Sequence, residues 1–143
     1  MTIEKRVRSA MKAVIKIDNR ILMLKQQIAN GNIVYDLPGG KVEHGEDPLD
    51  CLVREVKEEV YLDVNLVEPV GIWYFFHGKT GDQINCMTYE CEIIGNQEID
   101  ITKNPTEEKL KGYELVSIEQ ISAMKNEEIP ESLQRMLLSV YSN

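Results

Sequence analysis

The chain has 143 residues, 43% of them hydrophobic, which suits a single globular domain over residues 1–143 with its own core. The formal net charge of −8 makes the average surface repel a phosphate backbone, so it disfavours nonspecific binding to nucleic acid. A small phosphorylated ligand remains compatible with this charge, because a bound divalent cation reverses the local sign.

The N-terminal part of the chain is predicted to form strands. Residues 11–17 and 20–25 alternate as strands do, and they flank Asp18 and Asn19, which tolerate the positive φ angles of a tight hairpin turn. A short strand over residues 33–37 ends before Pro38-Gly39-Gly40. The chain is expected to bend sharply at that glycine pair.

The clearest local signals belong to a helix over residues 48–60. Asp47 is a good N-cap residue, and Pro48 suits the first helical position. Five apolar residues of this helix lie within an arc of about 100° and predict the face that packs on the core. They are Leu49, Leu52, Val53, Val56 and Val60.

The second half of the chain predicts a long hairpin followed by two helices. Its strands cover residues 62–76 and 85–94, and a last short strand covers residues 114–116. Ser117 begins a capping-box pattern, and Pro130 opens the final helix. The apolar residues of that helix repeat at helical spacing, at Leu133, Met136, Leu137 and Val140. This mixture of strands and helices predicts one layered α/β body.

The cysteine and hydropathy patterns indicate the cellular compartment of the protein. Cys51, Cys86 and Cys91 lack the spacing of a zinc site or a disulfide framework, so we expect three buried thiols. No stretch approaches the roughly 20 apolar residues that span a bilayer, and the polar N-terminus has no signal core. We therefore expect a cytoplasmic protein without a membrane partner. The choice between a monomer and a homodimer stays open.

Three glutamates of the predicted helix, Glu55, Glu58 and Glu59, have i, i+3 and i+4 spacing. This spacing gathers their carboxylates on one side of the helix, where like charges repel. The balancing charge can come from solvent counterions, from Arg54 or Lys57, or from a metal ion. Helix spacing alone favours the simplest alternative, a solvated acidic face.

The residues around these glutamates resemble the Nudix box, whose pattern is Gly, five residues, Glu, seven residues, then Arg-Glu-aliphatic-x-Glu-Glu-x-Gly-aliphatic. The matching residues are Gly40, Glu46, Arg54, Glu55, Val56, Glu58, Glu59 and Leu62. Tyr61 is the single departure, because it stands where the family has glycine. The resemblance implies a Nudix-like α/β/α sandwich with a mixed β-sheet.

The resemblance also implies a metal site and a catalytic group. Glu58 and Glu59 are expected to be the principal metal ligands, with a main-chain oxygen from Gly40. Glu55 is expected either to bind the metal or to act as the general base. The expected cofactor is Mg²⁺, with Mn²⁺ as the alternative, because both prefer hard oxygen ligands.

Other charged residues are candidates for supporting roles. Arg54 and Glu46 are expected to form a charge-assisted contact that orients the loop and the helix. Lys41 is a candidate for contact with a substrate phosphate, although a solvated loop lysine is the commoner case. Glu107 and Glu108 are candidates for an additional carboxylate, and an ordinary charged loop is the alternative for both.

The implied reaction is metal-dependent hydrolysis of a phosphoanhydride bond in a nucleoside diphosphate derivative, by a nucleotide pyrophosphohydrolase. Family branches that act on ADP-ribose tend to have a proline about sixteen residues after the box, and some dinucleoside polyphosphate branches have a tyrosine there. Residues 78–80 offer neither, which favours a nucleoside triphosphate or a similar small-molecule nucleotide. The alternative is a Nudix domain that binds a nucleotide without hydrolysing it, and a purely structural protein would leave the motif unexplained.

Tyr61 provides a structural test of the resemblance. The family's glycine lies at the end of the helix, where a left-handed residue commonly closes the last turn. Tyrosine at that position is expected to keep a positive φ, at a strain of about 1 kcal/mol.

Overall fold

The computed structural model describes residues 4–28, 30–95, 98–104 and 110–142. This part of the chain contains both strands and helices, and four strands precede the first helix. In chain order they are β1 (Val7–Ile17), β2 (Arg20–Gln27), β3 (Ile33–Asp36), β4 (Gly39–Lys41), α1 (Pro48–Val60), β5 (Asp63–Phe76), β6 (Gln83–Ile94), a 3₁₀ turn (Ile101–Lys103), β7 (Leu110–Val116), α2 (Ile118–Ala123) and α3 (Glu131–Tyr141). None of the described helices has the length and apolar composition needed to cross a membrane.

The strands form a mixed sheet in the order β3-β2-β1-β6-β5, with β4 added to β1 and β7 added to β2. Strand β1 runs antiparallel to β2 and parallel to β6. The turn between β1 and β2 places Asp18 and Asn19 at φ 50° and 63°, as their side chains allow. The predicted mixed sheet and N-terminal hairpin are confirmed.

Helices cover both faces of the sheet because alternate residues of β1 face opposite sides. Met11, Ala13 and Ile15 pack in the core under α1. Ala10 and Val14 pack in the second core, to which α2 and α3 contribute. The α/β/α sandwich is therefore confirmed, and the three cysteines are buried free thiols as predicted.

Helix α1 begins and ends at the predicted residues. The Asp47 side chain accepts a hydrogen bond from the Leu49 amide at 2.8 Å, which satisfies one of the free donors of the first turn. The predicted apolar face was too wide, because Leu49 and Val53 are 44% and 40% exposed. The core covers a narrower arc of the helix, in which Cys51 is buried beside Leu52, Val56 and Val60. The same correction applies to α3, where Val140 is 42% exposed.

A short strand replaces the bend predicted after Pro38. Residues of β4 pair with β1, and Gly39 lies opposite Lys12. Gly39 has φ 145°, and a Cβ atom there would collide with the carbonyl oxygen of Met11. Only glycine allows the two strands to approach this closely.

The end of α1 has the predicted left-handed residue. Tyr61 has φ 63° and ψ 26°, and its amide donates to the carbonyl of Lys57 at 3.0 Å, which closes the last turn. The Nζ atoms of Lys57 and Lys103 lie 4.3 and 5.3 Å from the centre of the Tyr61 ring. These cation–π contacts offset part of the backbone strain.

We predict that Tyr61→Gly unfolds at a urea concentration close to that of the wild type. Glycine removes a strain of about 1 kcal/mol and loses cation–π contacts of similar size. Tyr61→Ala is the matched control, because it loses the ring and keeps the strain. It should be less stable than Tyr61→Gly by about 1 kcal/mol. An alanine variant as stable as the glycine variant would contradict the strain at this position.

Candidate active site

Arg54 and Glu46 form the two-pronged contact expected from their spacing. The Nε and Nη2 atoms of Arg54 donate to the two carboxylate oxygens of Glu46 at 2.8 and 3.0 Å. This hydrogen bonding lowers the pKa of Glu46 to about 2. The contact ties the loop before α1 to the second turn of the helix, and the supporting role of the two residues in the reaction stays a prediction.

The same guanidinium also contacts two glutamates of α1. Its Nη1 atom lies 3.1 Å from Glu55 Oε1 and 3.2 Å from both oxygens of Glu58. One positive charge is therefore shared by three carboxylates. Three carboxylates against one guanidinium leave a formal sum of −2 around Arg54, which favours the approach of a further cation.

We predict that Arg54→Lys lowers the free energy of unfolding by about 1 to 2 kcal/mol, because an ammonium cannot reproduce the forked hydrogen bonds and the site is partly exposed. Urea denaturation measures the loss. Arg135→Lys is the control, since Arg135 pairs with Glu131 at 3.8 Å on an exposed surface. That change should stay within about 0.5 kcal/mol. Equal losses for both variants would contradict a structural role for the Arg54 fork.

Glu59 differs from its two neighbours in its surroundings. Its Oε1 atom accepts a hydrogen bond from the Gly39 amide at 2.7 Å, which ties the end of α1 to β4. Burial raises the pKa of Glu59 to about 8, against the opposing effects of the Lys12 charge and the Gly39 amide. Burial also raises the pKa of Glu55. These two carboxyls therefore lie in a setting that disfavours negative charge without a nearby cation.

Gly40 lies close to α1, as its place in the motif implies. A Cβ atom on Gly40 would collide with the carboxylate of Glu55, whose Oε1 atom would be 2.7 Å away. The Gly40 carbonyl oxygen lies 3.9 Å from the Sγ atom of Cys51, one helical turn before Glu55. The carbonyl therefore faces the helix that carries the glutamates.

The donor set suits a hard divalent cation, since it consists of carboxylate oxygens and one main-chain carbonyl. The side chains do not converge on one point, however. Within residues 4–28, 30–95, 98–104 and 110–142, no group of three His, Cys, Asp or Glu has the geometry to hold a metal ion. Arg54 lies between Glu55 and Glu58, and Glu59 turns towards Gly39. Metal ligation by these residues stays a prediction that requires their side chains to rotate.

The remaining candidates are less well defined. Lys41 ends β4, is partly exposed, and forms no ion pair with any residue in the described part of the chain. Its contact with a substrate phosphate stays a prediction. Glu107 and Glu108 lie outside the described residues, so their role as an additional carboxylate is untested.

The structure adds an ion pair that sequence reasoning missed. Lys12 is 5% exposed, and its Nζ atom lies 3.0 Å from Asp36 Oδ2 and 3.3 Å from the Leu37 carbonyl oxygen. The signal was a lysine within the apolar run of β1, at a position that shares a sheet face with Ala10 and Val14. A charge at a core-facing position needs a buried partner.

The structure also has an open cleft of about 750 Å³. It is bounded by the loop between β2 and β3, the end of β5 and the start of α3. Its lining includes Ile28, Asn30, Asn32, Val34, Tyr74, Phe76, Asn126, Glu131 and Arg135.

The fold and the glutamate helix define a class of α/β protein with an acidic site on one helix. The model of the NUDIX domain matches residues 5–137. The chain belongs to this family.

Two relatives and one solved structure show how the similarity is distributed. The ADP-ribose pyrophosphatase of Methanocaldococcus jannaschii is 36% identical over 88 residues, which are 62% of this chain and 52% of that protein. The NAD-capped RNA hydrolase NudC of Pseudomonas fluorescens is 28% identical over 110 residues, 76% of this chain and 35% of that one. The matches thus span about half of the first protein and a third of the second. The MutT protein of Methanosarcina mazei has a TM-score of 0.75 at 21% identity, covering 97% of this chain and 96% of that chain, a likeness of fold.

Proposed function

We propose that residues 1–143 form one Nudix hydrolase domain that cleaves a phosphoanhydride bond in a nucleoside diphosphate derivative, with Mg²⁺ or Mn²⁺ as cofactor. The observation that carries this proposal is the arrangement of the box glutamates. Glu55 and Glu58 share the Arg54 guanidinium with Glu46, and Glu59 accepts from the Gly39 amide, next to Gly40. This arrangement retains every ionisable group of the box. A domain that only binds nucleotides would have no need for a full set of repelling carboxylates.

Each residue of the site has a proposed part in the reaction. A bound divalent cation would offset charge on the phosphate oxygens and make the attacking water more acidic. Glu58, Glu59 and the Gly40 carbonyl hold this cation, and Glu55 holds it or accepts the proton of the water. The contact between Arg54 and Glu46 keeps the loop before α1 in a fixed position relative to the helix. Lys41 contacts a phosphate oxygen of the substrate.

Water is the proposed nucleophile, because the described residues around the glutamates include no activated side chain that could take this role. Cys51 is the one thiol near the glutamates, and burial raises its pKa to about 12. A thiol in that state is a poor nucleophile at neutral pH. The water oxygen forms a bond to one phosphorus, the bond from that phosphorus to the bridging oxygen breaks, and the bridging oxygen leaves with the other phosphate.

The cleft supports a small nucleotide as the substrate. A volume of about 750 Å³ falls within the range of small-molecule sites. The exposed rings of Tyr74 and Phe76, with centroids 5.9 Å apart, offer an apolar surface for a base, and asparagine amides offer hydrogen bonds. We expect a nucleoside triphosphate or a similar compact nucleotide. The relatives add ADP-ribose and NAD-capped RNA as classes to test, because each contains a nucleoside diphosphate.

A panel of nucleotides tests the proposal. The protein is incubated with Mg²⁺ and with nucleoside triphosphates, ADP-ribose, NAD⁺, nucleotide sugars or NAD-capped RNA, and the products are identified by mass spectrometry. We expect cleavage of at least one member between two phosphorus atoms. Binding without turnover across the whole panel would contradict the proposal and favour a regulatory nucleotide-binding domain.

A further inference from the structure

Lys12 lies opposite Gly39, whose amide contacts Glu59 of the glutamate helix, and the proposed hydrolytic reaction gives Lys12 no part. Its side chain is 7% exposed, and an apolar residue would fill this core position at lower cost, because buried ion pairs seldom stabilise a fold relative to packed hydrophobic groups. The role of the ammonium is therefore indicated by the groups that it contacts. Its hydrogen-bond partners are Asp36, the last residue of β3, and Leu37, which follows it.

Residues 37–39, which run from the end of β3 into the first residue of β4, are held by hydrogen bonds to β1. The Lys12 ammonium donates to the Leu37 carbonyl at 3.3 Å and pairs with Asp36, whose other oxygen accepts from the Leu37 amide at 2.7 Å. The Ala13 amide donates to the Pro38 carbonyl at 2.8 Å. Gly39, the last residue of the segment, pairs with Lys12 across the sheet.

The segment in turn fixes Glu59, since the Gly39 amide donates to Glu59 Oε1 at 2.7 Å. A displacement of Gly39 moves this donor and releases the carboxylate. The line of contacts therefore runs from the Lys12 ammonium through Leu37 and Gly39 to a glutamate of α1. The carbonyl of the next residue, Gly40, moves with the same segment.

We propose that Lys12 is a positioning residue that fixes residues 37–39 and thereby aims Glu59 and the Gly40 carbonyl at the divalent cation, an inference that rests on the proposed function. Outer contacts of this kind change metal affinity by about 10- to 100-fold when they are removed. Lys12 does not touch the substrate or the reacting atoms.

The test measures Mn²⁺ binding to the substrate-free protein by electron paramagnetic resonance. We expect Lys12→Met to raise the Mn²⁺ dissociation constant about 10- to 100-fold. Lys16→Met is the matched control, because Lys16 lies on the same strand with a side chain that is 41% exposed. Its Mn²⁺ affinity should equal that of the wild type.

The double variant Lys12→Met with Asp36→Asn separates positioning from stability. It removes both buried charges, and the asparagine oxygen can still accept from the Leu37 amide. We expect its melting temperature to return towards that of the wild type while Mn²⁺ binding stays weak and kcat falls more than KM changes. Wild-type Mn²⁺ affinity in the double variant would overturn the positioning role and leave the proposed function standing. A wild-type protein that neither binds Mn²⁺ nor turns over a nucleotide would overturn both.

Discussion

Glu59→Gln should lower turnover of the identified substrate by about 100- to 1,000-fold and leave the fold intact. The glutamine keeps the volume of the side chain, and its oxygen can still accept the hydrogen bond from the Gly39 amide. It loses the negative charge that a divalent cation requires. Since Glu59 is buried with a pKa raised to about 8, a neutral side chain should be tolerated well. Steady-state kinetics and thermal melting measure the two properties separately.

Two further variants calibrate this result. Glu58→Gln should reduce turnover to a similar extent, because it removes the second proposed ligand. Glu43→Gln is the matched control, since Glu43 is an exposed glutamate at an unspecified position of the same motif. Its turnover should equal that of the wild type. A folded variant with both Glu58→Gln and Glu59→Gln and wild-type turnover would place the metal site elsewhere.

Removal of divalent cations should abolish turnover, and Mg²⁺ or Mn²⁺ should restore it. The physical reason is that the carboxylates of α1 add negative charge to a reaction whose substrate is already anionic, so they cannot stabilise it without a cation. Protein treated with a chelator and then dialysed provides the starting material. Full activity after exhaustive metal removal would contradict the mechanism.

Thermal unfolding gives a second measurement of the dependence on a divalent cation. A cation that binds the folded state alone stabilises it by about 2.7 kcal/mol when its concentration is 100 times the dissociation constant. We therefore expect Mg²⁺ to raise the melting temperature of the wild type. The variant Glu59→Gln should show a smaller rise, because its site has lost one ligand.

The sequence predicted helix α1 to the residue because the signals that start and end it are local. Asp47, Pro48 and the left-handed Tyr61 each depend on a few neighbouring residues. Strand β4 was missed because its pairing with β1 joins distant parts of the chain, and two glycines carry no strand signal. The exposure of Leu49 and Val53 depends on how much of α1 the sheet covers, which periodicity does not specify.

The candidate site was predictable in its residue types and less so in its geometry. Spacing grouped Glu55, Glu58 and Glu59, because i, i+3 and i+4 positions lie together on any helix. The contact of Arg54 with Glu46 was expected from the resemblance to the Nudix box, since Glu46 lies in the loop before the helix. The insertion of Arg54 between two glutamates depends on rotamers. The ion pair joins Lys12 of β1 to Asp36 of β3, two strands away in the sheet, so only the three-dimensional fold reveals it.

Hydrolysis in water enriched with heavy oxygen tests the central claim most directly. The account predicts that one product carries a single solvent oxygen on phosphorus, that chelation prevents this labelling, and that no product stays attached to the protein. The proposed site supplies carboxylates that hold a cation and take a proton, and no side chain that forms a covalent bond to phosphorus. A trapped phosphoryl or nucleotidyl adduct on the protein, or products without solvent oxygen, would contradict it.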